Sequence, residues 1–168
     1  MEDYQYIYTR YYSHVYGFLL KLTCYDRDLA EDLTQETFLQ ALVSFKRFEG
    51  HASVKTWLIA IAKNVAFSHF RKSRKLPSSP EEEMDRHGES PAFVSSLERR
   101  EQVRNILTII STFPPKTADV MILRLMAQLP FDQIGQQLKI SPGSARVLFA
   151  RGKAQLVSQI KELYDYEI

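Results

Sequence analysis

The residue types that make and break bonds are present but scattered. His14, His51, His69, His87 and the single cysteine, Cys24, share no metal-ligand spacing. Asp28, Glu31, Asp32 and Glu36 crowd one stretch, yet no histidine or nucleophile stands at a spacing useful for acid–base work. No glycine-rich phosphate loop occurs. The reading is therefore not an enzyme, with no metal and no cofactor. An acidic helical face of this kind is either solvated or meets a basic partner.

What remains is cationic chemistry. Net charge is only +2, but its distribution is uneven. From Gly50 to Pro80 there is no acid, while Lys55, Lys63, Arg71, Lys72, Arg74 and Lys75 give +6. From Gln133 to Lys161 there is again none, and Lys139, Arg146, Arg151, Lys153 and Lys161 give +5. Pro77 to Glu101 between them is net −4. Two basic blocks around an acidic connector suit two surfaces for a polyanion, against the plainer alternative of solvated helix faces.

The second block carries the sharpest local pattern. Phe131 to Leu138 reads as a short amphipathic helix with Ile134 and Leu138 inward. Lys139-Ile140 makes a turn, and Ser141-Pro142 supplies an N-cap and a proline at the first helical position. Ala145, Leu148, Phe149, Gly152 and Leu156 then share one face, leaving Ser144, Arg146, Val147, Ala150, Arg151 and Lys153 outward. Two short helices with the second basic and outward fit a helix-turn-helix, whose second helix enters the major groove. Arginine there can bridge guanine O6 and N7. A helical hairpin with a merely solvated basic face is the competing reading. In the first block the cations share a helix with Trp57, Phe67, His69 and Phe70. Rings beside cations suit unstacked bases of melted nucleic acid, although periodicity favours Trp57 in the core.

Helices must position these groups. Tyr4, Tyr8, Tyr11, Tyr12, Val15, Phe18, Leu19 and Leu22 recur at helical spacing. Asp28 reads as N-cap of a second helix with Leu29, Leu33, Phe38, Leu42 and Phe45 on its core face. Phe48 to Ser53 is a loop with Ser53 capping a third helix that leaves its core face at Arg71. Pro77 to Glu83 is proline, serine and acid, a linker. Order resumes near Ser90-Pro91, and Pro114-Pro115 stops that helix. At 168 residues and 45% hydrophobic the chain is too apolar for disorder and too short of long apolar runs for a membrane span. One cysteine and an acidic, tyrosine-rich start predict a soluble cytoplasmic protein.

Glu31 to Phe38 with Ala41, Phe48-Glu49-Gly50, and Lys55-Thr56-Trp57-Leu58 with Ile61 to Asn64 resemble bacterial sigma factors of the extracytoplasmic-function class. Leu129 to Gly135 and Ile140 to Arg146 resemble the same class, in the same order, so the likeness spans nearly the whole chain. The first cluster is specific; the helix-turn-helix is shared with many DNA-binding proteins. The resemblance implies an all-α protein of two small helical domains, a region 2-like one at 1–75 and a region 4-like one at 93–168, joined by a flexible acidic linker at 76–92. It implies a specificity subunit for core RNA polymerase that needs no cofactor of its own. Asp32, Leu33, Gln35, Glu36 and Phe38 would dock on the polymerase. Gly50, His51, Ala52, Ser53, Lys55, Trp57, Lys63, Asn64, Arg71, Lys72, Arg74 and Lys75 would take the minus-ten promoter element, as duplex and as melted strand. Ser141, Gly143, Ser144, Arg146, Val147, Ala150 and Arg151 would take the minus-thirty-five element. An anti-sigma factor is the usual regulator.

Three positions depart from the family's pattern. It has serine where this chain has Val147, arginine at Leu148, and a bulky or polar ring at Ala150. The usual upstream preference is thereby left open, and a Val147 methyl could meet a thymine methyl. A stand-alone helix-turn-helix repressor or activator is the alternative function. It would leave the Asp32–Phe38 motif and the aromatic basic helix without a task.

Overall fold

A computed structural model describes residues 2–48, 50, 52–73 and 91–164. Among them there are helices and no strands: α1 (Glu2–Leu22), α2 (Arg27–Ser44), α3 (Val54–Ser73), α4 (Pro91–Ile110), α5 (Pro115–Leu125), α6 (Phe131–Leu138) and α7 (Pro142–Tyr164), with one 3-10 turn at Phe45–Arg47. The all-α reading stands. Of the expected linker 76–92, residues 76–90 lie outside the described residues, and Pro91 and Ala92 open α4.

Helices α1, α2 and α3 pack on one another. Ile7, Val15, Phe18, Leu19 and Leu22 of α1 meet Leu33 and Phe38 of α2 and Leu58, Ile59 and Val65 of α3 in a common core. The tyrosines of α1 extend that core: Tyr8 stands edge-on to Phe38 at 4.8 Å and Tyr12 lies parallel to it at 6.1 Å. The Tyr4 hydroxyl donates to the Phe38 carbonyl. Thr34 and Thr37 are fully buried, and each satisfies its hydroxyl by donating back to a carbonyl of its own helix, Ala30 at 2.6 Å and Leu33 at 2.7 Å.

α1 ends in a reversal that satisfies its last carbonyls. The Tyr25 amide donates to Leu20 and the Cys24 amide to Lys21, with both residues left-handed. The next helix is then capped by Asp26, whose carboxylate accepts from the Leu29 amide at 3.1 Å. This corrects the expected cap at Asp28, which sits instead in the first turn of α2, where its charge complements the helix N-terminus. Cys24 is buried, and burial pushes its thiol up to about 11, so it stays a neutral core group.

Helices α4 to α7 form a second packed set, with α7 against α4, α5 and α6. Val120, Met121, Leu123, Leu129, Ile134, Ala145 and Leu156 fill its centre. α4 begins at Pro91, as the Ser90-Pro91 pair predicts, but it ends at Ile110, ahead of the prolines. Pro115 instead takes the first position of α5. A further contact, between α3 and α6, joins the two sets.

Candidate nucleic-acid and partner interfaces

The helix-turn-helix is built by local chemistry. α6 closes on Lys139, left-handed at φ 58 and ψ 45. The Ile140 amide returns to the Gly135 carbonyl at 3.0 Å. Gly135 is required at this close approach, because a Cβ there would lie 2.6 Å from the Ile140 carbonyl oxygen. Ser141 caps α7, its hydroxyl accepting from the Ser144 amide at 3.0 Å and donating to the Ser144 hydroxyl at 2.9 Å. Ala145, Gly152 and Leu156 are buried and Leu148 and Phe149 half-buried, as their shared face predicts. Ser141, Gly143, Ser144, Arg146, Val147, Ala150, Arg151 and Lys153 are all exposed. Val147, at 48% exposure, stands among cations without being covered by them.

Sequence reading missed Arg124. Its guanidinium lies 4.5 Å from the Phe131 ring centroid, where Arg146 also approaches at 5.7 Å, and it donates to the Leu129 carbonyl at 3.0 Å. One ring thus gathers a cation from α5 and another from α7. Spacing along the chain carries no trace of this, since the ring that joins them belongs to a third helix.

The cations of α3 are arranged differently. Ser53 caps the helix, accepting from the Thr56 amide at 3.1 Å, and Gly50 takes φ +75 in the preceding loop. Gly50, Ser53, Asn64, Arg71 and Lys72 are exposed; Ala52 and Lys55 are half-buried. Trp57 is half-buried, with Phe48 at 4.8 Å and Phe45 at 6.4 Å, so its ring belongs largely to the core, as periodicity favours. Lys63 departs from expectation. It is 7% exposed and its ammonium pairs with Asp119 of α5 at 3.3 Å. His51, Arg74 and Lys75 lie outside the described residues.

On α2 the expected docking motif divides by depth. Asp32, Gln35 and Glu36 are exposed, whereas Leu33 and Phe38 are buried at 3% and 1% and cannot touch a partner. They hold the helix while the polar three face out. The same surface continues into Leu39, Leu42 and Val43, at 63%, 44% and 79% exposure. Leu42 was expected in the core. Tyr4 of α1 makes its contact at the Phe38 carbonyl, and Leu42 lies one turn beyond Phe38 along α2. Clustered exposed leucine and valine beside carboxylates mark an interaction surface better than scattered apolar residues would.

Among the described residues, no group of three or more His, Cys, Asp or Glu is placed to hold a metal, and no helix is long and apolar enough to cross a membrane.

Residues 7–76 match the model of sigma-70 region 2, and residues 104–156 match that of sigma-70, region 4. The ECF RNA polymerase sigma factor SigX of Bacillus subtilis is 28% identical over 176 residues, covering 99% of this chain and 90% of that one. The fold is similar to that of CnrH in complex with the cytosolic domain of CnrY, with a TM-score of 0.67 at 14% identity over 96% of this chain and 90% of that one. It is also similar to the sigma factor RpoE of Bartonella quintana in complex with the anti-sigma factor NepR, with a TM-score of 0.61 at 20% identity over 100% of both chains. Paired helical sets, the second presenting a solvent-facing helix-turn-helix, define a DNA-binding protein of the transcription machinery. The chain belongs to the sigma-70 family, within its extracytoplasmic-function class.

Proposed function

We propose that this protein binds core RNA polymerase and directs it to promoters, working from the cytoplasm as a non-catalytic subunit without a cofactor. Residues 1–75 act as the polymerase-docking and minus-ten unit, 76–92 as the connector, and 93–168 as the minus-thirty-five unit. The observation that carries this reading is the exposed acidic and apolar face of α2 beside a cation-bearing α3 and an outward α7. A stand-alone regulator would need only the last of these.

Asp32, Gln35 and Glu36 offer charge to a basic partner, and Leu39, Leu42 and Val43 offer the apolar contact that gives such a surface affinity. Gly50, Ala52, Ser53, Lys55, Asn64, Arg71 and Lys72 take the minus-ten element, with His51, Arg74 and Lys75 assigned to it by the resemblance alone, while Lys63 is held in its pair with Asp119. Trp57 supports it from beneath. Arg146, Arg151 and Ser144 contact the minus-thirty-five element around Val147 and Ala150, with Ser141 and Gly143 at the helix start and Arg124 contributing a further cation. RpoE was solved with the anti-sigma factor NepR; by analogy an anti-sigma factor restrains this chain.

The test is transcription from genomic fragments by core polymerase with and without the protein. Specific starts that vanish without it are expected. No starts, with tight duplex binding by the protein alone, would favour a stand-alone regulator. Asp32→Ala and Gln35→Ala should weaken co-purification with core enzyme while leaving the melting temperature unchanged. Equal co-purification would remove α2 as the docking surface.

A further inference from the structure

The start of α6 is held from two other helices. Arg124 of α5 donates to the Leu129 carbonyl at 3.0 Å and sets its guanidinium 4.5 Å from the Phe131 ring centroid. One half-buried side chain thus ties down both the approach to α6 and the ring at its first position. Phe149 of α7 packs on the same ring at 5.6 Å, tilted by 59°. Phe131 is therefore a fixed, half-buried surface. Arg146, exposed in the early turns of α7, reaches it at 5.7 Å, inside the distance at which a ring attracts a cation.

We propose that Phe131 is a positioning residue for sequence reading: it narrows the orientations of Arg146 before DNA arrives, and so acts on upstream-element specificity through another side chain. The inference rests on the reading of α7 as the minus-thirty-five helix. An unrestrained arginine on a helix surface samples many rotamers, and fixing it on a base removes that freedom. The kind of partner that restrains it beforehand decides whether it can still read. A carboxylate would occupy the N–H fork, and that pair would have to break before guanine O6 and N7 could be bridged. A ring attracts the cation through its negative face and takes none of those donors. In a docked helix-turn-helix the first helix crosses the DNA backbone while early residues of the second meet base edges. Phe131 opens the first helix and Arg146 lies early in the second, so the ring keeps the guanidinium where the two meet the duplex. The charges on α7 do not depend on the ring, so attraction to phosphates is untouched and only discrimination between sequences relies on it.

The test measures binding of the full chain, in complex with core polymerase, to two labelled duplexes. One carries the upstream element mapped from the transcription starts, and in the other that element is scrambled. Phe131→Leu should lower the ratio of the two affinities about threefold, the size expected of an exposed contact between a cation and a ring. Affinity for the scrambled duplex and the salt slope should hold, and Phe131→Tyr should keep the native ratio. In an Arg146→Ala background Phe131→Leu should change the ratio no further, because the side chain it orients is gone. Phe131 also packs on Phe149, so a lower melting temperature alone decides nothing. A ring-fluorinated phenylalanine in place of Phe131 keeps that packing while weakening the negative face, and should repeat the effect of leucine even if leucine upsets the fold. An equal loss of ratio in the native and Arg146→Ala backgrounds would reduce Phe131 to a packing residue and overturn the proposal. If Arg146→Ala itself left the ratio unchanged, the assignment of Arg146 to the upstream element would fall and the positioning role with it, while polymerase-dependent starts would still stand.

Discussion

α3 and α7 begin alike and end differently. Each is capped by a serine that accepts an amide three residues on, Thr56 at 3.1 Å and Ser144 at 3.0 Å, and donates to that residue's hydroxyl. At α7 the chain of hydroxyls stops at exposed Ser144, and the cations beyond it face solvent. At α3 it continues from Thr56 into Gln133, and Lys63 is drawn into an ion pair with Asp119. The same local chemistry therefore builds one helix whose cations stay uncovered and another engaged within the molecule. A reading surface is defined by what neighbouring elements leave uncovered as much as by its own charges.

The largest effect concerns the first helical set, where motif and core overlap. Phe38→Ala should cost about 3–5 kcal/mol, measured by denaturant unfolding, because the ring is fully buried between Tyr8 and Tyr12. A loss of polymerase binding without this loss of stability would make Phe38 a contact after all. It would also erase the division of α2 into a buried and an exposed half.

Next is Arg146→Ala on α7. Affinity for the upstream element should fall by about 1–3 kcal/mol if the guanidinium meets a base. Because α7 is uncovered, the loss should be the same for the isolated protein and for the polymerase complex. A loss confined to the complex would mean that α7 reaches duplex DNA only once polymerase is bound, and its contrast with the internally paired α3 would disappear.

The capping serines sharpen the contrast further. Ser53→Ala and Ser141→Ala should each cost about 1 kcal/mol of stability, read from thermal unfolding. Only Ser53→Ala should also loosen the α3–α6 contact, seen as faster amide exchange in α6, since its hydroxyl orients Thr56 toward Gln133. Equal exchange in both variants would uncouple the cap from the contact.

These cases show how far the sequence was legible. The helix-turn-helix could be read nearly to the residue, because Ser141-Pro142, the Lys139 turn and the period of Ala145 to Leu156 are signals within a few residues of one another. The acidic and basic composition of α2 and α3 was equally plain. Helical periodicity assigns a face but not how far a neighbour reaches along it, so Leu42 was placed inside although it stands 44% exposed. Nor does any local pattern report that Lys63 meets Asp119, or that Arg124 and Arg146 share the Phe131 ring, because each depends on how separate helices pack.

The smallest expected effect compares the two turns that precede or follow these helices. Gly50 and Lys139 both hold left-handed backbone, φ +75 and φ 58, but only the first is glycine. An L side chain pays about 1 kcal/mol or more to sit there, while glycine pays through the greater freedom of its unfolded chain. Lys139 is exposed, so Lys139→Gly removes strain without removing packing. It should raise stability by about 0.5–1 kcal/mol, visible as a higher melting temperature with upstream-element binding preserved. Gly50→Ala should lower stability by a similar amount, because the added methyl would meet nothing within 4 Å and the cost is backbone alone. Opposite signs at the two sites would place the difference in the turn conformation. If Lys139→Gly instead weakened upstream binding, the lysine would be a phosphate contact, and the reading surface of the second unit would extend from α7 into the turn.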